Sequence, residues 1–276
     1  MAQVLKDLRV ASGLTLKEVA EQAGVDHGHL SRVERATRGI SKELLRKLLN
    51  RPYARLVTAD ERSRAFELLH ADLTEEDPYK RHSSLLTPTQ YGDYLKFEAG
   101  AAALSAYELA LIPGLLQTEE YASAVIEGMR PDLSKRGVAT LVEIRMHRQE
   151  RLIGAGKDFR VVIDESAVRR PVVAVDPMKR QLNRLIEVVE YPFVSVSLLP
   201  MTTGCHAGLY GSFMIMDFPE PTPSVVWVEG LAESTYFAKQ DHVERYATAF
   251  KSLWERAVPL TADSDFVAKV IKELHT

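Results

Sequence analysis

The stretch Leu14-Thr15-Leu16-Lys17-Glu18-Val19-Ala20-Glu21-Gln22-Ala23-Gly24-Val25-Asp26-His27-Gly28-His29-Leu30-Ser31-Arg32-Val33-Glu34-Arg35 decides how the beginning of this chain folds. Thr15-Leu16-Lys17-Glu18 is a capping box: a threonine that opens a helix and a glutamate three residues on that reaches back to it. Val19, Ala20 and Ala23 give that helix an inward face. Gly24 stops it and permits a sharp turn, because glycine enters the left-handed region without a Cβ penalty. Val25 is expected as a buried turn residue, and Asp26 is placed to cap a second helix that carries Leu30 and Val33 inward. Upstream, Gln3–Ala11 reads as a helix with Val4, Leu5, Leu8 and Ala11 at helical spacing, ended by Gly13. Downstream, a helix from about Ser41 carries Leu44, Leu45, Leu48 and Leu49. A further one is expected at Thr58, where Thr58-Ala59-Asp60-Glu61 repeats the capping box.

Two short helices across a Gly-centred turn are the helix-turn-helix layout, whose second helix enters the DNA major groove. Small Ala20 suits the close helix crossing. The stretch resembles the lambda-repressor/Cro-like (xenobiotic-response-element family) regulators. Roles then follow from position. His27, Gly28 and His29 open the reading helix, and Arg32 lies one turn on, within reach of a base edge or a phosphate. Lys17, Arg38 and Lys42 fall where such folds meet phosphates. The resemblance also implies a structural Arg9–Glu34 salt bridge. His27 and His29 are not read as metal ligands, because their i, i+2 spacing splits them between helix faces. Gly28 departs from the family, which usually has Ser or a similar residue there. Either the position has drifted or the backbone approaches DNA closely. Ala36-Thr37-Arg38-Gly39-Ile40 departs too, since a Gly directly after the Glu-Arg and a Pro before the Ser are common in the family.

The 276 residues are 46% hydrophobic and 26% charged, enough to bury a sizeable core in two domains. The net charge of −3 is unevenly spread. Residues 1–57 hold 11 Lys+Arg against 6 Asp+Glu, a net of +5, and the rest hold 24 against 32, a net of −8. A basic module that meets an anion and an acidic module with another task are implied. No apolar run approaches a membrane span, and the N-terminus lacks a signal-peptide layout. The single cysteine, Cys205, excludes an intrachain disulfide and a multi-cysteine metal site. A cytoplasmic protein is expected.

The boundaries read as 1–70 for the helix-turn-helix domain, 71–88 for an acidic, Pro-bearing linker, and 89–276 for a second domain. There, Tyr91–Ala106 has helical periodicity, and Tyr107–Leu111 looks extended. Thr118 caps a helix that begins with Glu119 and Glu120, and a long basic helix covers about Leu133–Ala155. Phe159–Asp164, Phe193–Leu199, Gly211–Phe218 and Ser224–Glu229 read as strands. Met178–Val189, Asp241–Ala257 and Asp263–Leu274 read as helices. An all-α N-terminal domain followed by an α+β domain with a mixed sheet is therefore expected.

Leu111-Ile112-Pro113-Gly114-Leu115-Leu116-Gln117-Thr118-Glu119-Glu120-Tyr121-Ala122 resembles the hallmark of a C-terminal domain of unknown function found in many actinobacterial regulators. Arg148–Leu152, Val162–Pro171, Met178, Gln181, Leu182, Phe213 and Val228-Glu229 match it as well. The resemblance implies an antitoxin-like transcriptional regulator whose partner is a small protein encoded by a neighbouring gene.

Cys205-His206 in a Gly-bearing loop invites a nucleophile reading, but neighbours in sequence rarely form the required hydrogen bond and no third member is evident. No catalytic residue, metal or cofactor is assigned. Arg145, Arg148 and Arg151 form an i, i+3, i+6 basic stripe, read first as a solvated face and otherwise as a seat for an anionic ligand or acidic partner. Tyr107, Glu108, Gln117, Tyr121, Glu165 and Arg169 either line a pocket or lock the fold, the latter preferred. The expected protein is a DNA-binding transcription regulator, a homodimer on double-stranded DNA. A partner-sequestering adaptor and a ligand sensor are the alternatives.

Overall fold

In the computed structural model, described for residues 2–35, 40, 42–56, 91–220, 222–231, 234–262 and 264–273 (side chains of 2–4, 7, 42 and 265 excepted), the local signals around Gly24 produce the elements they encode. Helix α1 runs Ala2–Ser12, α2 Leu16–Ala23, α3 His27–Glu34 and α4 Lys42–Asn50. Leu5, Val19, Leu30, Leu45, Leu48 and Tyr53 are fully buried and pack with Ala20, Ala23, Val33, Leu44 and Leu49 into one core. Two expectations fail in detail. Val25 is only half-buried at the rim of this core, and Ala11 is exposed. The chain divides into two compact units, Met1–Asp77 and Pro78–Thr276. The expected Thr58 capping box, the 71–88 linker and Arg38 lie outside the described residues.

The second unit is built on a mixed sheet with seven strands among the described residues, in the order β6-β5-β4-β1-β2-β3-β7. The strands are β1 Ala103–Glu108, β2 Asp158–Asp164, β3 Val194–Leu199, β4 Phe213–Asp217, β5 Val225–Val228, β6 Thr235–Phe237 and β7 Val258–Pro259. β1, β2 and β3 run parallel, and the remaining pairs are antiparallel. Between them come helices α5 Tyr91–Gly100, α6 Glu119–Met129, α7 Lys135–Ala155, α8 Glu165–Arg169, α9 Val175–Val188, α10 Gln240–Arg256 and α11 Asp265–Glu273. Parallel strands need such crossovers, and the sheet is covered on both faces as a result. Leu104, Ala106, Phe159, Val161, Ile163, Val196 and Leu198 point into the larger core, with residues of α5, α6, α7, α9 and α11. Tyr107, Val162, Leu199, Phe213, Ile215 and Val226 point the other way, onto Phe250 and Leu253 of α10.

The sequence periodicity carried the helix from Tyr91 to Ala106. It ends at Gly100, and Ala102 N–H already donates to Asp217 O at 2.7 Å. Residues 103–108 form the central strand, so the extended segment begins four residues before Tyr107 and ends at Glu108. Alanine's helix preference is worth at most several tenths of a kcal/mol per residue. Burial of Leu104 and Ala106 on one face and Tyr107 on the other outweighs it. Helix α8 and the short edge strands β6 and β7 were not anticipated, being too short for a period to show.

Candidate functional site

The helix pair of the first unit is shaped by three caps. Glu18 N–H donates to Thr15 Oγ1 (3.3 Å) and Thr15 N–H to Glu18 Oε2 (2.7 Å), which closes the box. The backbone bond from Thr15 holds the Glu18 carboxyl below its ordinary range. Gly24 sits at φ 64°, and Val25 N–H reaches Ala20 O at 2.9 Å. Asp26 Oδ1 accepts from His29 N–H at 2.8 Å and starts α3. With Leu30 and Val33 inward, α3 leaves His27 and Arg32 exposed and Gly28 and His29 half-exposed, and Lys17 is exposed on α2. Lys42 opens α4. Behind the reading helix, Arg9 Nε donates to Glu34 Oε1 and Oε2 at 2.9 and 3.1 Å. Glu34 raises the Arg9 pKa further through this bond. This ion pair ties α1 to α3.

Gly28 has ordinary helical φ, so backbone conformation does not demand glycine there. A Cβ would stand 3.1 Å from Asp26 Oδ1 and 3.5 Å from Arg32 Nη1. Its absence leaves room for the cap carboxylate and the Arg32 guanidinium to share the outer surface of the helix start.

In the second unit the candidates divide into separate groups. Gln117, Tyr121 and Arg145 come together around the Ile112–Thr118 loop. Gln117 Nε2 donates to Ile112 O (2.6 Å), Arg145 Nη1 donates to Gln117 Oε1 (2.6 Å), and Tyr121 Oη accepts from Ile112 N–H (3.4 Å). Two buried glutamines complete this support: Gln149 Nε2 donates to Gly114 O and Gln117 O, and Gln181 bridges Leu116 O and Thr118 N–H. Arg145 lies against Gly114, with its buried Nε lacking a hydrogen-bond partner among the described residues. Glu165 and Arg169 sit elsewhere: Glu165 accepts from Arg169 Nε (2.6 Å) and Met201 N–H (2.9 Å), while Arg169 also pairs with Glu273.

The basic stripe is corrected. Arg148 is 6% exposed and is not part of a solvated face. Its Nε and Nη2 grip the Glu98 carboxylate at 2.8 and 2.5 Å, and it also donates to the Tyr91 and Tyr94 hydroxyls. Of the three, Arg151 is exposed and Arg145 half-buried. A buried guanidinium survives because nearly all its donors are matched, two of them by the Glu98 carboxylate.

At the carboxyl ends of the parallel strands, Tyr107 Oη donates to Asp164 Oδ2 (3.4 Å), and Asp164 Oδ1 caps α8 by accepting from Ser166 N–H (2.9 Å). His206 Nε2 is 3.9 Å from Asp164 Oδ2, and the imidazole is buried against Tyr107 while Cys205 is exposed. The two neighbours therefore face opposite environments. Sequence reading missed this packing, whose only local trace is Gly208. A Cβ there would fall inside the van der Waals envelope of the Tyr107 ring. Gly208→Ala is expected to cost at least about 1–3 kcal/mol by overpacking, measured as the urea midpoint of the second unit.

Glu108 ends β1 with its carboxyl desolvated, and burial, with the nearby Glu229, pushes its pKa up to about 7 against the opposing pull of Ser212 and Arg145. The folded value lies above the ordinary 4.5, so between these values the folded state holds the proton more tightly. Stability should fall as pH rises through that window and level off above it. Glu108→Gln should flatten this part of a pH–stability curve.

No helix among the described residues is long and apolar enough to cross a membrane. Residues 91–269 match the family model described as a domain of unknown function (DUF5753). Residues 1–63 match the model described as a helix-turn-helix domain, which points to a DNA-binding regulator. No curated protein matches the chain.

Proposed function

The chain belongs to the DUF5753 family, and from that premise, with a helix-turn-helix domain ahead of the family region, we propose that it is a sequence-specific transcription regulator of the lambda-repressor/Cro-like class, acting in the cytoplasm as a homodimer on double-stranded DNA. The observation that carries this reading is the start of α3: a capped helix end with His27, Gly28, His29 and Arg32 outward over a closed core, in a segment of net charge +5. Histidine and arginine match base-edge acceptors, and Lys17, Arg38 and Lys42 are suited to flanking phosphates. A single module buries only about 600–1,000 Å² on DNA, so two copies with reading helices about 34–36 Å apart suit an operator better. We assign the dimer contact to the second unit.

Binding to the chain's own promoter across a salt series tests the interface. Lys17→Ala should weaken all sequences alike and lower the salt slope by about one, whereas Arg32→Ala should relax specificity at one base position. If neither variant changes binding, the interface is misplaced.

An antitoxin-like role, in which the second unit holds a small protein encoded next door, is favoured by one feature. The loop after β3 presents Met201, Leu209 and a fully exposed Tyr210. Exposed large apolar side chains such as these suit a protein partner. Co-purification with that neighbour tests it, and failure to associate at micromolar concentration would dismiss it.

A further inference from the structure

We propose that a cavity of about 80 Å³ in the second unit, between α5, the start of β1 and α7, binds a small amphiphilic anion: a carboxylate on a short apolar tail. Its walls are apolar, with Leu95, Leu104, Leu115 and Leu152 among its lining residues. Its polar lining is Glu98, Arg148, Arg151 and Lys157.

The charge inventory gives the sign of the ligand. Glu98 is consumed by Arg148, which grips both of its oxygens. Lys157 donates to Glu98 O (2.6 Å) and Ala99 O (3.0 Å), the last carbonyls of α5, which uses two of its three protons. Arg151 is exposed on the same rim. Three cationic side chains, Arg148, Arg151 and Lys157, thus line the cavity against one carboxylate, Glu98, and the lining keeps a net positive charge. Burial holds the Lys157 pKa below its ordinary value; Glu98 pulls it back up, and the like charge of Arg151 pushes it down again. An anion between them would relieve both penalties, and it would meet the remaining proton of Lys157 and the planar donors of Arg151.

The walls give the rest of the ligand. The lining surface is more apolar than polar, and its leucines belong to the packed core, so a short alkyl group suits it better than a bare, strongly hydrated anion. At roughly 30 Å³ per water-sized group, the cavity holds about three such groups, so a tail of a few carbons fills it.

Calorimetric titration of the full chain with acetate, propionate, butyrate, inorganic phosphate and butylamine tests the proposal. Affinity should rise about fourfold per added methylene from acetate to butyrate. Butylamine should not bind, and phosphate should bind more weakly than butyrate. Arg151→Gln, on an exposed position, should weaken butyrate about tenfold without moving the urea midpoint. The proposal is overturned if butyrate gives no binding at millimolar concentration, if butylamine or phosphate binds as well as butyrate, or if Arg151→Gln binds butyrate unchanged.

Discussion

Arg148→Met should lower the stability of the second unit by about 3–5 kcal/mol, because it strands the Glu98 carboxylate in the core. Glu98 is 7% exposed, and among the described residues its carboxylate would keep the Tyr94 hydroxyl as its one hydrogen-bond partner. Both tryptophans, Trp227 and Trp254, belong to this unit, so their fluorescence in a urea titration reads its unfolding directly. The double variant Arg148→Met/Glu98→Leu removes both charges and should recover much of the loss. Equal instability of the single and double variants would show that packing, rather than the uncompensated charge, is what Arg148 supplies. The expected recovery follows from the cost of desolvating ions, which a well-packed apolar pair avoids.

Leu30→Ala should be about as damaging to the first unit, at about 2–5 kcal/mol. Leu30 is fully buried and stands on the inner side of the reading helix, in a core of few residues. A cavity there cannot be closed without moving α3, so DNA affinity should fall with stability. Val10→Ala, at a position 66% exposed, should stay within about 0.5 kcal/mol and bind DNA normally. Circular dichroism melts paired with DNA titrations would check both, and a stable Leu30→Ala variant that still binds would refute the assigned core.

The first unit was legible in sequence because its determinants are local. Thr15, Glu18, Gly24 and Asp26 each act within a few residues of their own position, and the hydrogen bonds they imply are those observed. The parallel-strand core of the second unit was legible as strands and helices in order, with boundary errors where alanine composition suggested helix up to residue 106. Its polar interior was not. Arg148 meets Glu98 across 50 positions, and Tyr107 meets Asp164 across 57. A helical stripe at 145, 148 and 151 carries no sign of a partner that far away. Spacing reports which residues share a helix face; it does not report whether another helix covers that face. Gln149 and Gln181 stand out in sequence only as part of a matching pattern, although buried glutamines bonded to backbone are what hold the Ile112–Thr118 loop.

The most direct test of the central claim compares two duplexes of equal length and composition at physiological salt, one from upstream of the chain's own gene and one shuffled. Fluorescence anisotropy with the full chain should show the natural duplex bound at least about 10³-fold more tightly. That preference should shrink in Arg32→Ala, while Lys17→Ala lowers both affinities together. Equal affinity for the natural and shuffled duplexes would contradict a sequence-specific regulator acting at its own promoter.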